Sequence, residues 1–150
     1  MKRMLVVVDG SVQAGLALDR ALEIASALSG SELILLNIMA PLTPWQIHRD
    51  ASAMSAATSA RVTALAMARA KVAGVSARAR VEAGEKATIA VRIAREEQCD
   101  HIFLPERETT PVARALMNLT GLCANTAANR VLSLSSVPVT VVAHEARADA

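Results

Sequence analysis

Asp9 is the first residue of the chain with chemistry to offer. It stands directly after the apolar run Met4-Leu5-Val6-Val7-Val8 and before Gly10-Ser11. A carboxylate there can cap the following turn and helix start, or it can face a ligand at the end of a strand. A second polar group, Pro105-Glu106-Arg107-Glu108, follows the apolar run Ile102-Phe103-Leu104. Asn125-Thr126 offers a hydroxyl that can serve a phosphate or act as a helix N-cap, and the N-cap is the simpler reading. His48, His101 and His144 are scattered, with no pair at metal-ligand spacing. Cys99 and Cys123 lie in different segments and form no CxxC pair; they read as reduced, buried, small hydrophobes. Lys71, Arg78 and Arg80 make a modest basic cluster that reads as a solvated face. No nucleophile and base stand at a spacing that suggests covalent chemistry, so no catalytic residue is expected.

Composition narrows the classes further. The chain has 150 residues, enough for one domain with a proper core. Sixteen basic and fourteen acidic residues leave a net charge of +2, too small to predict a nucleic-acid surface. One Phe, one Trp and no Tyr provide no stacking platform for single strands. The core must come from Val, Ile, Leu, Met and Ala. Met1-Lys2-Arg3 before an apolar run resembles the start of a signal peptide, but the run ends at Asp9 and is too short. No stretch approaches the roughly 18 apolar residues that span a bilayer. A cytoplasmic protein without membrane contact is expected.

The elements that position these residues can be read from periodicity. Met4–Val8 and Glu32–Met39 are unbroken apolar runs, the pattern of strands covered on both faces. Between them Leu18, Ala21, Leu22, Ala25 and Leu28 recur at helical spacing, and Gly30 closes the segment. Pro41 and Pro44 end the second strand, and Trp45 to about Asp50 is irregular or a helix start. Residues 51–72 are Ala-rich and predict a helix with Met54, Val62, Leu65 and Val72 as its buried stripe. Val75–Val81 alternates and predicts a strand near a sheet edge. Glu85 and Lys86 open a third helix carrying Ile89, Ala90, Ile93 and Ala94, and Asp100–Leu104 is a fourth strand. Thr110-Pro111 is a helix start with Val112, Leu116 and Leu119 on one face. Asn125 or Thr126 caps a short helix through Val131 and Leu132, and Val137–Val142 is the last strand. Alternating strands and helices predict an α/β fold, a three-layer sandwich with a parallel sheet. Ligands then bind at the carboxyl rim, where Asp9, Ile38 and Pro105 are expected. Residues 1–144 form one domain, and 145–150 a flexible tail.

The ordered set Val6-Val7-Val8-Asp9-Gly10-Ser11, Leu35-Leu36-Asn37-Ile38, Val81-Glu82-Ala83-Gly84-Glu85, Cys99-Asp100-His101-Ile102-Phe103-Leu104, Arg130-Val131-Leu132 and Val137-Pro138-Val139-Thr140-Val141-Val142 resembles the universal stress protein family. The resemblance spans roughly residues 3 to 143. It implies the fold of adenine nucleotide alpha hydrolases, with five parallel strands in the order 3-2-1-4-5. It also implies a regulatory, non-catalytic homodimer formed through the last strand, with Val137, Val139, Val141 and Val142 at the interface. One branch of the family binds ATP. In it the residues matching Val7, Asp9, Ile38, Asn125 and Thr126 surround the nucleotide, and a Gly-x-x-Gly loop followed by Gly-Ser or Gly-Thr holds the phosphates.

Here Pro105 and Glu108 replace the two glycines of that loop. Proline has no N–H for a phosphate, and Glu106 and Glu108 bring negative charge toward a polyanion. Such a like-charge contact at about 4 Å costs on the order of 1–4 kcal/mol. Counted forward from Leu104, Asn118 takes the third position; counted back from the last strand, Asn125-Thr126 does. Residues 109–124 therefore carry an insertion. The expectation is a stress-adaptation module contacting other proteins, with no cofactor. A nucleotide switch with a rebuilt phosphate loop is the alternative.

Overall fold

The computed structural model describes residues 2–40, 49–106, 119 and 127–143. Five strands, β1 (Arg3–Val7), β2 (Glu32–Met39), β3 (Ser76–Ala83), β4 (His101–Pro105) and β5 (Val139–Val142), form one parallel sheet in the order β3-β2-β1-β4-β5. Among the described residues four helices cover it: α1 (Val12–Ala27), α2 (Arg49–Val72), α3 (Lys86–Glu96) and α4 (Ala127–Leu134). The predicted order of strands is the observed one. The expected tail and the helix start at Thr110-Pro111 lie outside the described residues.

The unbroken apolar runs have the predicted cause. Alternate residues of each central strand serve opposite layers. Leu5, Val7, Ile34 and Leu36 join Ile89, Ile93 and Val131 on the α3–α4 side. Met4, Val6, Leu33, Leu35 and Phe103 join Leu18, Leu22, Ala66 and Ala70 on the α1–α2 side. Helix α1 starts at Ser11, whose hydroxyl accepts from the Ala14 amide. It ends one residue earlier than the stripe suggested: Leu28 is the C-cap and is partly exposed.

The expected stripe of α2 is corrected. Leu65 and Val72 face solvent, and Val62 is only partly buried; the Met54 side chain lies outside the described residues. The buried face is Ser59, Thr63, Ala66 and Ala70. Small side chains let the helix approach the sheet closely. Two hydroxyls are tolerated there because each has a partner: Ser59 donates to Asn37 Oδ1, and Thr63 donates to the Ser59 carbonyl at 2.9 Å.

The two sheet edges differ. On β3, Arg78, Arg80 and Glu82 enter a lattice of ion pairs with Glu32 of β2, Arg92 and Glu96 of α3, and Glu97 just beyond it. The expected basic cluster is thus largely neutralised. Edge β5 carries no charge. Its bonds to β4 run from the Ile102 amide to the Pro138 carbonyl and from the Glu106 amide to the Val142 carbonyl. Ladder alternation then turns the backbone groups of Val139 and Val141 toward the open side.

The lattice predicts an acid-sensitive fold. Hydrogen bonds from Arg78 to Glu32, from Arg80 to Glu82 and from Arg80 to Glu97 hold these carboxyls below their usual value of 4.5. A lowered folded-state value stabilises the fold above the unfolded value, and that contribution is lost as pH falls through the folded one. Thermal melts should therefore hold a constant midpoint from neutral pH to about 5 and fall from about 4.5 downward. Glu97→Gln should lower the neutral-pH midpoint and flatten the acid slope; an unchanged slope would remove the lattice as its cause.

Candidate functional site

The strands end at a rim where four segments converge on a cleft of about 510 Å³. The β1–α1 turn contributes Asp9, Ser11 and Gln13; the start of α3 contributes Lys86. Leu104, Pro105 and Glu106 come from the end of β4, and Ala127, Ala128 and Val131 from α4.

Local sequence explains each placement. Gly10 has φ +81°, and a Cβ there would meet Val62 Cγ2 at 3.1 Å, so glycine is needed for the tight turn under α2. That turn brings Asp9 Oδ1 to the Ser11 amide at 2.9 Å and the Ser11 hydroxyl at 2.5 Å. Lys86 Nζ approaches Asp9 Oδ2 at 3.3 Å. Burial raises the Asp9 pKa, but the Ser11 hydroxyl and amide and the Lys86 ammonium outweigh it and hold the carboxyl below its ordinary value. Asp9 is a stable anion at neutral pH and a poor general base. Ser11, rather than Asp9, is the helix cap; Asp9 orients the capping residue.

Glu85 closes α3 in the same way. It accepts from the Ala87 amide at 3.1 Å and the Thr88 amide at 2.9 Å, and it pairs with Arg130 of α4 at 3.0 Å. The helix N-termini of α1 and α3 therefore already have oxygen partners of their own.

The cleft gathers only part of the predicted set. Asp9, Pro105 and Glu106 line it. Val7 is fully buried in the core and does not line it; Ile38, at the end of β2, packs beside the same core cluster. Both were expected at the nucleotide on resemblance alone, Ile38 through its backbone, which partial burial of its side chain does not contradict. Asn125 and Thr126 lie outside the described residues, as do Arg107, Glu108, His48, His144, Cys123 and all of the inserted segment 109–124 except Leu119. Val137 and Val139 pack against the core, while Val141 and Val142 are half-buried in β5.

Lys86 and Arg130 were not singled out as site residues in the sequence. The signal for Lys86 was available: a cation two residues past Gly84, the turn that follows a strand, falls on the ligand rim of a parallel sheet. Cys99 is buried, and burial pushes its thiol up to about 11, so it is unreactive at neutral pH. His101 meets Thr140 Oγ1 at 2.8 Å away from the cleft. Among the described residues no three His, Cys, Asp or Glu side chains converge on a metal position.

A 3-2-1-4-5 parallel sheet with a ligand-sized cleft on its carboxyl rim defines a doubly wound α/β protein. The chain belongs to the universal stress protein family, whose family model matches residues 1–143. It is similar to a solved member of that family from Burkholderia pseudomallei, at 25% identity over 94% of this chain and 95% of that one, with a TM-score of 0.66. It is also similar to a universal stress protein solved in complex with cAMP, at 25% identity over 95% and 96% of the two chains, with a TM-score of 0.67. A family protein from Arabidopsis thaliana, solved with AMP bound, shares the fold at 13% identity, covering 97% and 94%, with a TM-score of 0.68. No curated protein matches the chain by sequence. No described helix is long and apolar enough to cross a membrane.

Proposed function

We propose that this universal stress protein works in the cytoplasm as a homodimeric, non-catalytic interaction module in stress adaptation. It pairs through β5, contacts other proteins rather than nucleic acid, and leaves its cleft without ATP. The observation that carries this reading is the chemistry of the rim. Phosphates are held by free backbone amides and positive potential. Here Pro105 has no amide to give, Glu106 lines the cleft, and the carboxylates of Asp9 and Glu85 take amides from both helix starts. Lys86 is turned toward Asp9. A polyanion would have to displace or repel three carboxylates.

The alternative, an adenine-nucleotide switch with a rebuilt loop, has one observation in its favour. The cleft lies on the ligand rim of a fold whose 25%-identical relative was solved in complex with cAMP. A thermal-shift titration with ATP and magnesium decides between them. A functioning site would raise the midpoint steadily with ligand concentration. The expected result is no shift at millimolar ATP and no excess absorbance at 260 nm in the purified protein.

The dimer is tested at Val141, because Val139 packs into the core and its replacement would confuse folding with pairing. Val141→Lys should move the protein from dimer to monomer in size exclusion while keeping a cooperative melt. An unchanged dimer would place the interface elsewhere.

A further inference from the structure

The cleft that turns phosphates away suits the opposite charge. Its apolar walls are Leu104 and Pro105 on the β4 side and Ala127, Ala128 and Val131 on the α4 side. Its charged lining is two carboxylates, Asp9 and Glu106, and one ammonium, Lys86, which leaves one negative charge in excess. The neighbouring Glu85 and Arg130 pair with each other at 3.0 Å and add no net charge.

The two carboxylates are committed to different degrees. Asp9 accepts from Ser11 through Oδ1 and meets Lys86 Nζ at 3.3 Å through Oδ2. That contact is longer than the 2.7 Å between Arg78 and Glu32. It is also wet: 36% of the Lys86 side chain and 32% of the Asp9 side chain stay exposed. Glu106 has no ion-pair partner among the described residues. Its backbone is nevertheless fixed, because the Glu106 amide donates to the Val142 carbonyl at 2.9 Å. A free carboxylate thus stands at a firm point of the sheet beside an apolar cavity. Among the positive groups of the rim, Lys86 is engaged by Asp9, and the starts of α1 and α3 give amides to Ser11 and Glu85. The start of α4 remains. A helix start is worth about half a unit charge, less than the full charge of Glu106. An ammonium on a hydrocarbon stem answers both features: the stem covers the walls, and the head meets the carboxylates.

We infer that the cleft takes a primary ammonium carried on an apolar stem. Glu106 is its main counter-charge, Asp9 is shared with Lys86, and Leu104, Pro105 and Val131 receive the stem. A lysine side chain of a partner protein and a free alkyl amine supply the same chemistry. The inference rests on the reading of the cleft as closed to ATP, and it does not need the β5 dimer.

The test follows the backbone amides of Ser11 and Glu106 by NMR in the isotope-labelled full chain. The ligands are pentylamine, pentanol with the same stem, and ATP with magnesium. Pentylamine should shift both amides saturably, more weakly as salt is raised, and pentanol should not. Glu106→Gln should weaken the amine about two- to fivefold, the weight of one partly exposed ion pair. Lys86→Met removes the competing ammonium and should strengthen the amine by a similar factor, whereas an anion site would lose affinity. Both side chains reach solvent, so the circular dichroism of the variants should match the parent. A short peptide with one lysine among glycines and serines should bind too, and its acetyllysine form should not. Whether that peptide or pentylamine binds more tightly names the source, and either order supports the inference. Equal shifts with pentanol, an affinity unmoved by Glu106→Gln, or weaker binding in Lys86→Met would overturn it. Shifts with ATP would sink the reading beneath it, whereas no response to either amine or ATP removes this inference alone.

Discussion

Phe103→Ala should lower the free energy of unfolding by about 3–5 kcal/mol, the range for deleting a fully buried aromatic ring. Phe103 is the only phenylalanine and is completely inaccessible in β4. It packs with Met4, Val6, Leu18 and Leu35, and its ring lies 4.7 Å from that of His101. Its neighbours are held by strands on both sides, Val6 of β1 and Thr140 of β5 in register, so the void cannot readily collapse. Against a total stability of about 5–15 kcal/mol this is a large fraction. For a domain of this size the midpoint should drop by roughly 6–20 °C. Leu65→Ala, at an exposed position, should stay within about 0.5 kcal/mol of the parent. Equal midpoints for the two variants would mean that the α1–α2 side of the core is not packed as described.

Asn37→Leu should be the second most damaging change, through stranded polar groups rather than lost volume. The Asn37 amide donates to the Val8 carbonyl at 2.7 Å, and its oxygen accepts from Ser59. The side chain thus ties the end of β1 to α2 through β2, just before Asp9. Leucine would leave the Val8 carbonyl and the Ser59 hydroxyl buried without these partners. At about 1–3 kcal/mol for each stranded group, a loss of about 2–4 kcal/mol is expected. Adding Ser59→Ala should recover part of it, giving a measurable coupling in a double-mutant cycle. The Ser11 amide, which donates to Asp9, should also exchange its hydrogen faster in Asn37→Leu, because the turn loses its anchor. Unchanged exchange at Ser11 would separate the cleft from the Asn37 clamp.

The frame of the molecule was legible because its signals are local. Unbroken runs such as Leu33–Leu36 can only be central strands in a sheet covered on both faces, and the alternation after Val75 correctly marked an edge. Helix α2 was not legible in the same way. Its aliphatic residues are spread around the helix among alanines, so size and hydrophobicity point to the wrong face. What selects the buried side is closeness of approach, together with a hydroxyl partner on β2. Neither is visible until the sheet is in place. The same holds for Asn37, which in sequence is one polar residue in an apolar strand.

The cleft was half legible. The rim position of Asp9 and Pro105 follows from topology, and both line it. Of the residues carried over by resemblance, Val7 belongs to the core cluster and Ile38, partly buried, packs against it. Backbone recognition leaves no trace in side-chain type, so sequence cannot tell a strand residue that shows its peptide to a ligand from one that only packs. The pairing of Lys86 with Asp9 spans 77 positions and has no periodic signature.

The unlike borders of the sheet limit how it can grow. A strand that joins at β5 meets a bare backbone, whereas one arriving at β3 meets interlocked arginines and glutamates that it would have to pull apart. Extension is therefore possible in one direction only. Two chains joined by their bare sides would present nothing but guarded borders, and the assembly would terminate itself instead of running on into a fibre.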